Sequence, residues 1–323
     1  MLARSTAHPD LGGSASQSRA VHRTRLCSNI PAIVRQYNRV ASGGFGKKRA
    51  RDADTVVFTR RSVPDVTPDC IFRSCVHARR EATIALFGST FLLPQRSAFA
   101  VADAAHFAPA IASWIGADAR RCFSSVVVDP PWRNRSASRG GGYTTGGGVL
   151  KTIGNLPLAD WISPGALVGV WVTHDPKVVA LARSWCAGWL GPDTTIVEFA
   201  WLKVSETGEP CFPLPSATAS VDTRKPYEVL LLARSGGTAA AAAIDAKVLP
   251  PALVFNSVPS QHSRKPPLAG LLAPYLGLHG PREGDTDDGI THLEIFGREL
   301  RPGSLCIGDD ALKFNEKNGV YFK

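Results

Sequence analysis

The chain has 323 residues, of which 44% are hydrophobic and 20% charged, and its formal net charge is +10. This mixture is typical of a globular protein of one large or two modest domains, and it excludes collagen-like, coiled-coil and wholly disordered chains. No run of 18 apolar residues occurs, so the sequence predicts no membrane-spanning helix and no membrane partner.

The positive charge is concentrated near the start of the chain. Residues 1–61 contain 12 Lys and Arg and 3 Asp, which leaves 25 basic and 24 acidic residues for the remainder. Residues 1–64 are also rich in Ser, Arg, Gly and Ala without a sustained period, so we expect a disordered basic arm followed by a folded domain over 65–323. Such an arm attracts nucleic-acid phosphates, or it is a solvated tail without a partner.

Two short signals bear on the compartment. The run KKRAR at 47–51 resembles a nuclear-import patch, while the Arg-rich, Ser-rich and acid-poor N-terminus is also typical of a mitochondrial transit peptide. We favour the nucleus. The seven cysteines contain no CxxC pair, and Cys70, Cys75 and His77 match zinc-ligand spacing poorly, so we expect reduced thiols in an intracellular protein and no metal.

From about residue 81, apolar runs alternate with helical or loop segments. Continuous runs of Val, Ile and Leu are typical of strands covered on both faces, so the pattern predicts a doubly wound, Rossmann-like α/β sheet with ligands beyond the carboxyl ends of its strands. We expect a loop over 140–148 (GGGYTTGGG), and a loop or short helix over 238–243. The predicted strands are 125–129, 166–173, 195–204, 227–233, 253–258 and 292–296, and the predicted helices are 175–186 and 267–275.

The segment Asp129-Pro130-Pro131-Trp132 directly follows the apolar run VVV and carries the clearest chemical signal. Two prolines end a strand, donate no N–H, and leave carbonyl oxygens unpaired. A carboxylate beside a free carbonyl can accept both hydrogens of one amino group, and tryptophan offers a flat face for a base. The pattern therefore indicates a site for the exocyclic amine of adenine or cytosine, whereas the structural alternative is a strand-ending turn with a core tryptophan. Fingerprints of dehydrogenases, P-loop ATPases, zincins and α/β-hydrolases do not occur.

The chain resembles the MTA-type (MT-A70-like) N6-adenine methyltransferases from about Phe91 to its C-terminus. The resemblance is carried by the order of many short blocks rather than by DPPW alone. These blocks are FLLP at 91–94, DPPW at 129–132, WVT at 171–173, WLK at 201–203, KPYE at 225–228, SVP at 257–259, HSRKPP at 262–267, LEIF with Arg298 at 293–298, and LKF at 312–314.

The resemblance implies S-adenosylmethionine as the methyl donor and direct displacement by the amine, without metal or covalent intermediate. Asp129 and the Pro130 carbonyl are then expected to hold the amine, and Trp132 to stack on the target base. Tyr143, Trp171 and Trp201 match positions on the target-base side, although each is also explained as an ordinary core or loop aromatic.

On the donor side, the resemblance assigns Asp103 to the donor's adenine, Lys265 to its carboxylate and Arg298 to its ribose. Each of these is also explained as an ordinary surface residue. Two departures occur, because Glu299 stands where the family usually has Asn near this arginine, and Gly308-Asp309-Asp310 replaces Gly-Asn-Glu or Gly-Asn-Gln. A carboxylate accepts hydrogen bonds but does not donate them as an amide does, so Glu299 and Asp309 are expected to alter donor affinity.

The leading hypothesis is an S-adenosylmethionine-dependent methyltransferase acting on N6 of adenine in nucleic acid, either RNA such as small nuclear RNA or DNA. It needs no obligate partner subunit, and the Gly-rich loop at 140–148 covers the substrate. The alternative is a catalytically inactive nucleic-acid-binding partner of the same fold. Methylation of cytosine or of protein glutamine uses related acid-Pro-Pro-aromatic cradles but lacks the other blocks.

Overall fold

The computed structural model describes residues 55–57, 82–86, 89–115, 123–132, 147–214, 225–234, 236, 246–276 and 290–317. The Lys47–Arg51 run, the 238–243 segment, Tyr143 and most of the Gly-rich loop lie outside these residues. The strands are β1 (Thr55–Val57), β2 (Ala82–Leu86), β3 (Ser89–Leu93), β4 (Ala98–Val101), β5 (Phe123–Val128), β6 (Ile162–Val172), β7 (Thr195–Lys203), β8 (Tyr227–Arg234), β9 (Ala252–Ser257), β10 (His292–Ile295) and β11 (Ser304–Gly308). The helices are α1 (Phe107–Ile115), α2 (Gly147–Gly154), α3 (Pro176–Leu190) and α4 (Ala269–Leu276), with short 3-10 turns at Ala104–His106, Leu158–Asp160 and Lys313–Asn315.

Eight strands form the central sheet in the order β4-β11-β10-β5-β6-β8-β7-β9. All pairings are parallel except the two made by β8, which runs antiparallel to both β6 and β7. The mixed α/β fold predicted from the apolar runs is therefore confirmed, with one reversed strand. Because of this reversal, the first residues of β8 lie beside the last residues of the other seven strands. We call this end of the sheet its carboxyl end.

Alternation along the central strands divides the core into two layers. On β5, Val126 and Val128 face the layer that contains α1, α2 and α3, whereas Val127 faces the layer that contains α4. Helix α3 begins where the Asp175 side chain accepts a hydrogen bond from the Lys177 amide at 2.8 Å, with Pro176 at the first helical position. Burial on both faces explains why the strands consist of continuous apolar runs.

A second sheet of three strands joins β1, β2 and β3, with β1 parallel to β2 and β3 antiparallel to β2. Since β1 lies within residues 1–64, the predicted disordered arm is corrected at Thr55–Val57, where two valines and a threonine pair with Thr83–Ala85. The small sheet is held to the main domain near the end of the chain, because the Lys317 amide donates to the Thr90 carbonyl at 2.7 Å.

Most predicted elements are present within a few residues of their expected bounds. Strand β6 begins four residues earlier than expected, and α3 continues four residues beyond Cys186. Strand β11 was not predicted, because its five residues, all buried, contain two glycine or serine positions that weaken the apolar pattern. Among the described residues, no helix is long and apolar enough to cross a membrane.

Candidate active site

Four charged side chains meet at the carboxyl end of the central sheet, on the face that carries α4. Asp129 follows β5 and continues the face of Val127, and Glu228 shares the face of Leu230 on β8. Lys203 ends β7 on the face of Trp201, while Lys265 comes from the segment after β9. Period-two alternation thus places the ions directly above one layer of the hydrophobic core.

The four ions form an alternating chain. The Lys203 Nζ lies 2.5 Å from Glu228 Oε1, and the Lys265 Nζ lies 2.7 Å from Glu228 Oε2. The same Lys265 nitrogen is 3.3 Å from Asp129 Oδ1. Two carboxylates therefore share two ammonium groups, and Lys265 bridges the acids.

Burial and ion pairing have opposite effects on the pKa values of Asp129, Glu228 and Lys265. Burial raises the pKa of Asp129, and the neighbouring Lys265 offsets only part of this increase. For Glu228, burial again acts upward, but Lys265 and Lys203 outweigh it and lower its pKa to about 2. Burial acts to lower the pKa of Lys265, yet Asp129 and Glu228 reverse the effect and raise it. Perturbed titratable groups that meet in a cleft are typical of functional sites.

An open pocket adjoins the chain of charges. Its walls are the end of β5, the segment after β9, and the turn that follows β10, so it combines a carboxylate, an ammonium group, guanidinium groups and apolar side chains. The lining residues are Val127, Asp129, Trp171, Ser263, Lys265, Pro266, Leu268, Glu294, Ile295, Phe296, Gly297, Arg298, Glu299, Arg301 and Phe314.

Two of the predicted aromatic residues lie beside this pocket. Trp171 lines it, and the Lys265 Nζ is 5.1 Å from the centroid of its ring. Trp201 packs edge-on against Trp171 with centroids 6.1 Å apart, and its indole N–H donates to the Ser257 hydroxyl at 2.8 Å. Trp201 is 1% exposed, so in this structure it supports Trp171 from the core.

The structure differs from the prediction at Trp132 and Pro130. The Trp132 indole N–H donates to the Trp171 carbonyl at 2.7 Å, and its ring stacks on Trp185 with centroids 5.3 Å apart. Because Trp132 is 8% exposed and one ring face is covered, it is placed as a core residue rather than as a platform for a base. The Pro130 carbonyl accepts from the Trp132 amide at 2.8 Å, so it is not unpaired, although a carbonyl oxygen has a second lone pair.

The predicted donor residues are brought together only in part. Arg298 and Glu299 line the pocket with Lys265. Asp103 is exposed, caps the turn at Ala104–His106 and contacts His106 Nδ1 at 2.7 Å, and Asp309 is exposed as well. Neither Asp103 nor Asp309 lines the pocket. The two aspartates nevertheless follow neighbouring strands at the carboxyl end of the sheet, because Val101 of β4 pairs with Gly308 of β11.

Glu299 does not present an isolated negative charge. It accepts from Arg264 through both oxygens, with Arg264 Nε at 3.0 Å from Oε2, and from Arg301 Nη2 at 2.8 Å. Burial acts to raise the Glu299 pKa, but Arg301 and Arg264 prevail and lower it. The negative charge of Glu299 is therefore balanced by two guanidinium groups.

Sequence reasoning missed Lys203, Glu228, Arg264, Glu294 and Arg301 as members of the site. A lysine at the end of a predicted strand is a usable signal, since carboxyl ends of parallel strands share an edge. Glu228 lies near the start of its strand, and it reaches the carboxyl end of the sheet only because β8 runs antiparallel to its neighbours. The two arginines carry no signal before the loops are known to meet.

The pocket suits S-adenosylmethionine in its chemistry. The Trp171 ring and the Asp129 carboxylate favour a cation such as a sulfonium, while the Lys265 ammonium favours a carboxylate. The apolar walls from Val127, Leu268 and Phe314 suit the uncharged parts of a ligand.

The mostly parallel sheet and the Asp-Pro-Pro-Trp turn that follows β5 define the class, a Rossmann-like α/β domain with a carboxylate at the carboxyl end of a central strand. The MT-A70 family model matches residues 123–310, which is more than half of the chain. The chain belongs to the MT-A70 family, as the sequence blocks predicted.

Among curated relatives, the N6-methyladenosine RNA methyltransferase MTA1 of Pyricularia oryzae is 36% identical over 205 residues, 61% of this chain and 49% of the relative. The N(6)-adenine-specific methyltransferase METTL4 of Homo sapiens is 31% identical over 241 residues, 72% of this chain and 45% of the relative. A DNA N6-methyl methyltransferase of Caenorhabditis elegans is 26% identical over 226 residues, 68% and 53% of the two chains. The chain spans about half the length of these relatives.

Proposed function

We propose that this protein transfers a methyl group from S-adenosylmethionine to the N6 amine of adenine in nucleic acid. The single observation that carries the proposal is the partly buried Asp129 carboxylate, which follows β5 at the pocket and is partnered by Lys265 at 3.3 Å. RNA and DNA are both candidate substrates, since the relatives are named for either polymer.

S-adenosylmethionine, when bound, supplies the electrophilic methyl group. Asp129 accepts a hydrogen bond from the target amine and so directs the nitrogen lone pair, with the second lone pair of the Pro130 carbonyl as the other acceptor. Lys265 provides positive charge for the donor's carboxylate, Arg298 donates hydrogen bonds to its ribose hydroxyls, and the Trp171 ring forms part of the apolar wall. Such a site acts by positioning and electrostatics, without a covalent intermediate.

Nucleic acid must present an unpaired adenine to this pocket, because Asp129 and Trp171 cannot reach an amine inside a duplex. We propose that the Gly-rich segment 140–148, with Tyr143, contacts that base and that the basic N-terminal segment adds a salt-sensitive contact to phosphates. Action without an obligate partner subunit and a nuclear location are further parts of the proposal.

The test is methyl transfer from labelled S-adenosylmethionine to matched RNA and DNA oligonucleotides that contain one adenine. Asp129→Ala removes the acceptor, and Arg183→Gln is the matched control because the Arg183–Glu198 pair lies away from the pocket. Transfer that Asp129→Ala abolishes and Arg183→Gln retains supports the proposal. Absence of both transfer and donor binding in the unmodified protein would favour the inactive nucleic-acid-binding partner.

A further inference from the structure

The segment that carries Lys265 reaches the site from the far edge of the sheet. Strand β9 is the edge strand, and β7, β8, β6 and β5 separate it from β10. With strands about 4.8 Å apart, the chain must cross five spacings, about 24 Å, between the end of β9 and the turn after β10. We call residues 258–268 the strap.

The strap is held by side chains of the loop that follows β10. Arg264 is buried, and its guanidinium is held by both oxygens of Glu299. Arg301 Nη2 donates to the Lys265 backbone carbonyl at 2.6 Å and also to Glu299 Oε2 at 2.8 Å. Arg264 and Lys265, two consecutive residues of the strap, are therefore both held in place, Arg264 by its side chain and Lys265 by its backbone carbonyl.

The anchoring loop is itself fixed to the sheet. Arg301 Nη1 donates to Glu294 Oε1 at 3.0 Å, and Glu294 belongs to β10. The Asn315 side chain accepts from the Leu300 amide at 2.7 Å and donates to the Leu300 carbonyl at 3.0 Å. The loop after β10 thus provides a rigid support for the strap.

We infer that Glu299 and Arg301 are positioning residues that fix the strap through Arg264 and so hold the Lys265 ammonium between Asp129 and Glu228. The role of Lys265 toward the donor rests on the proposed function, whereas its placement by the contacts among Arg264, Glu299 and Arg301, which we call the clamp, does not. Glu299, which departs from the family pattern, is on this view matched by Arg264 and Arg301. Its carboxylate provides the charge that joins two guanidinium groups, which an amide does not supply.

The first test needs no donor. Competitive amine labelling with acetic anhydride, read by mass spectrometry, reports how accessible the Lys265 ammonium is relative to the exposed Lys247. Glu299→Gln and Arg301→Gln are expected to increase Lys265 labelling about tenfold, and Glu299→Asp to return part of the protection. Glu198→Gln, which breaks an exposed Arg–Glu pair that does not line the pocket, leaves Lys265 labelling unchanged.

The second test is calorimetric donor affinity in the same variants and in a Lys265→Ala background, with thermal unfolding to establish that each is folded. Glu299→Gln is expected to weaken donor binding about tenfold in the unmodified background and to add nothing once Lys265 is absent. Unchanged Lys265 labelling in both Gln variants, or an equal loss of affinity in the Lys265→Ala background, overturns the inference. Increased labelling in a protein that binds no donor keeps the clamp and overturns the proposed function.

Discussion

Lys265 and Asp129 form an ion pair, with Nζ and Oδ1 3.3 Å apart. The two residues come from distant parts of the sheet, because Asp129 follows β5 and Lys265 lies on the segment after β9, which is four strands away. Asp129 is fixed at the end of a central strand, while Lys265 arrives on a segment from the sheet edge. The pair therefore joins the most rigid part of the site to a part that depends on side-chain contacts for its position. Most of the testable behaviour of the site follows from this difference.

Asp129→Asn tests the acceptor with little change in shape. The amide keeps one oxygen acceptor but loses the negative charge and adds a donor, so the target amine is held poorly. We expect a loss of about 10²-fold in single-turnover methyl transfer, by analogy with the removal of other preorganised polar groups. Donor affinity changes much less, and a rate within a factor of about 3 would argue against a role for the charge.

Lys265→Met tests how the pair sets the protonation of Asp129. Burial raises the pKa of Asp129 and Lys265 acts in the opposite direction, so removal of the ammonium raises this pKa further. Because the ionised acid is the active form, activity falls as pH decreases through that pKa, and the acid limb of kcat/KM moves to higher pH in the variant. The pH profile at saturating donor measures the shift, and Lys247→Met is the control. A midpoint that stays in place or moves to lower pH contradicts the assignment.

Glu228→Gln tests stability rather than chemistry. The folded-state pKa of about 2 lies below the ordinary value of 4.5, so Glu228 stabilises the fold above pH 4.5 and loses this contribution as pH falls toward 2. The shift corresponds to an upper bound on the order of 3 kcal/mol at neutral pH. Urea unfolding at pH 7 is expected to show a lower free energy of unfolding for Glu228→Gln than for the unmodified protein. This difference in free energy is expected to be smaller at pH 3. A constant difference across this range would contradict the ion-pair explanation.

Trp132→Phe separates a core role from a base-stacking role. Loss of the indole N–H leaves the Trp171 carbonyl without this partner, which costs about 1–3 kcal/mol in the free energy of unfolding. The phenyl ring still packs against Trp185, so kcat below the unfolding temperature is expected to change only a few-fold. A large loss of kcat in a stable variant would restore the prediction that Trp132 contacts the target base.

Gly297→Ala is expected to lower the free energy of unfolding, and Gly188→Ala is expected to raise it. A Cβ at Gly297 lies 2.5 Å from Cys306 Sγ and 3.0 Å from Glu294, so it disturbs the residue that supports Arg301, at a cost of about 1–3 kcal/mol. Gly188 lies in α3 with nothing near its added Cβ, so alanine there stabilises the helix by about 1 kcal/mol. Chemical unfolding of the two variants measures both signs.

The central sheet was predictable because its signal is local. Runs such as Val126–Val128 and Leu230–Leu232 are apolar at every position, and their burial on both faces is what such runs indicate. Asp129 was found for the same reason, since it ends one of these runs and two prolines follow. The rule that ligands bind beyond the carboxyl ends of strands then predicted that Asp129 lies beside a pocket, and Asp129 does line one.

The remainder of the site depends on contacts between distant parts of the chain. The Arg264–Glu299 pair joins residues 35 positions apart, and no periodicity in either segment predicts that they meet. Trp132 shows the opposite case, because its neighbour sequence indicated a ligand-binding residue while its partners Trp185 and the Trp171 carbonyl place it in the core. Tertiary packing decided its position, and the aromatic side chain alone carried no information about which face it would occupy.

The reversed strand β8 has a consequence for the loop that precedes it. Leu202 near the end of β7 pairs with Tyr227 at the start of β8, and the Lys203 amide donates to the Pro226 carbonyl at 2.8 Å, so the ladder between the two strands fixes the ends of the intervening 204–226 connection. Because closure entropy grows slowly with loop length, a doubling of this connection costs only about 0.6 kcal/mol. Its length and composition can therefore diverge between homologous proteins without a change in the sheet. Any module inserted there would be tethered next to Glu228 and the pocket.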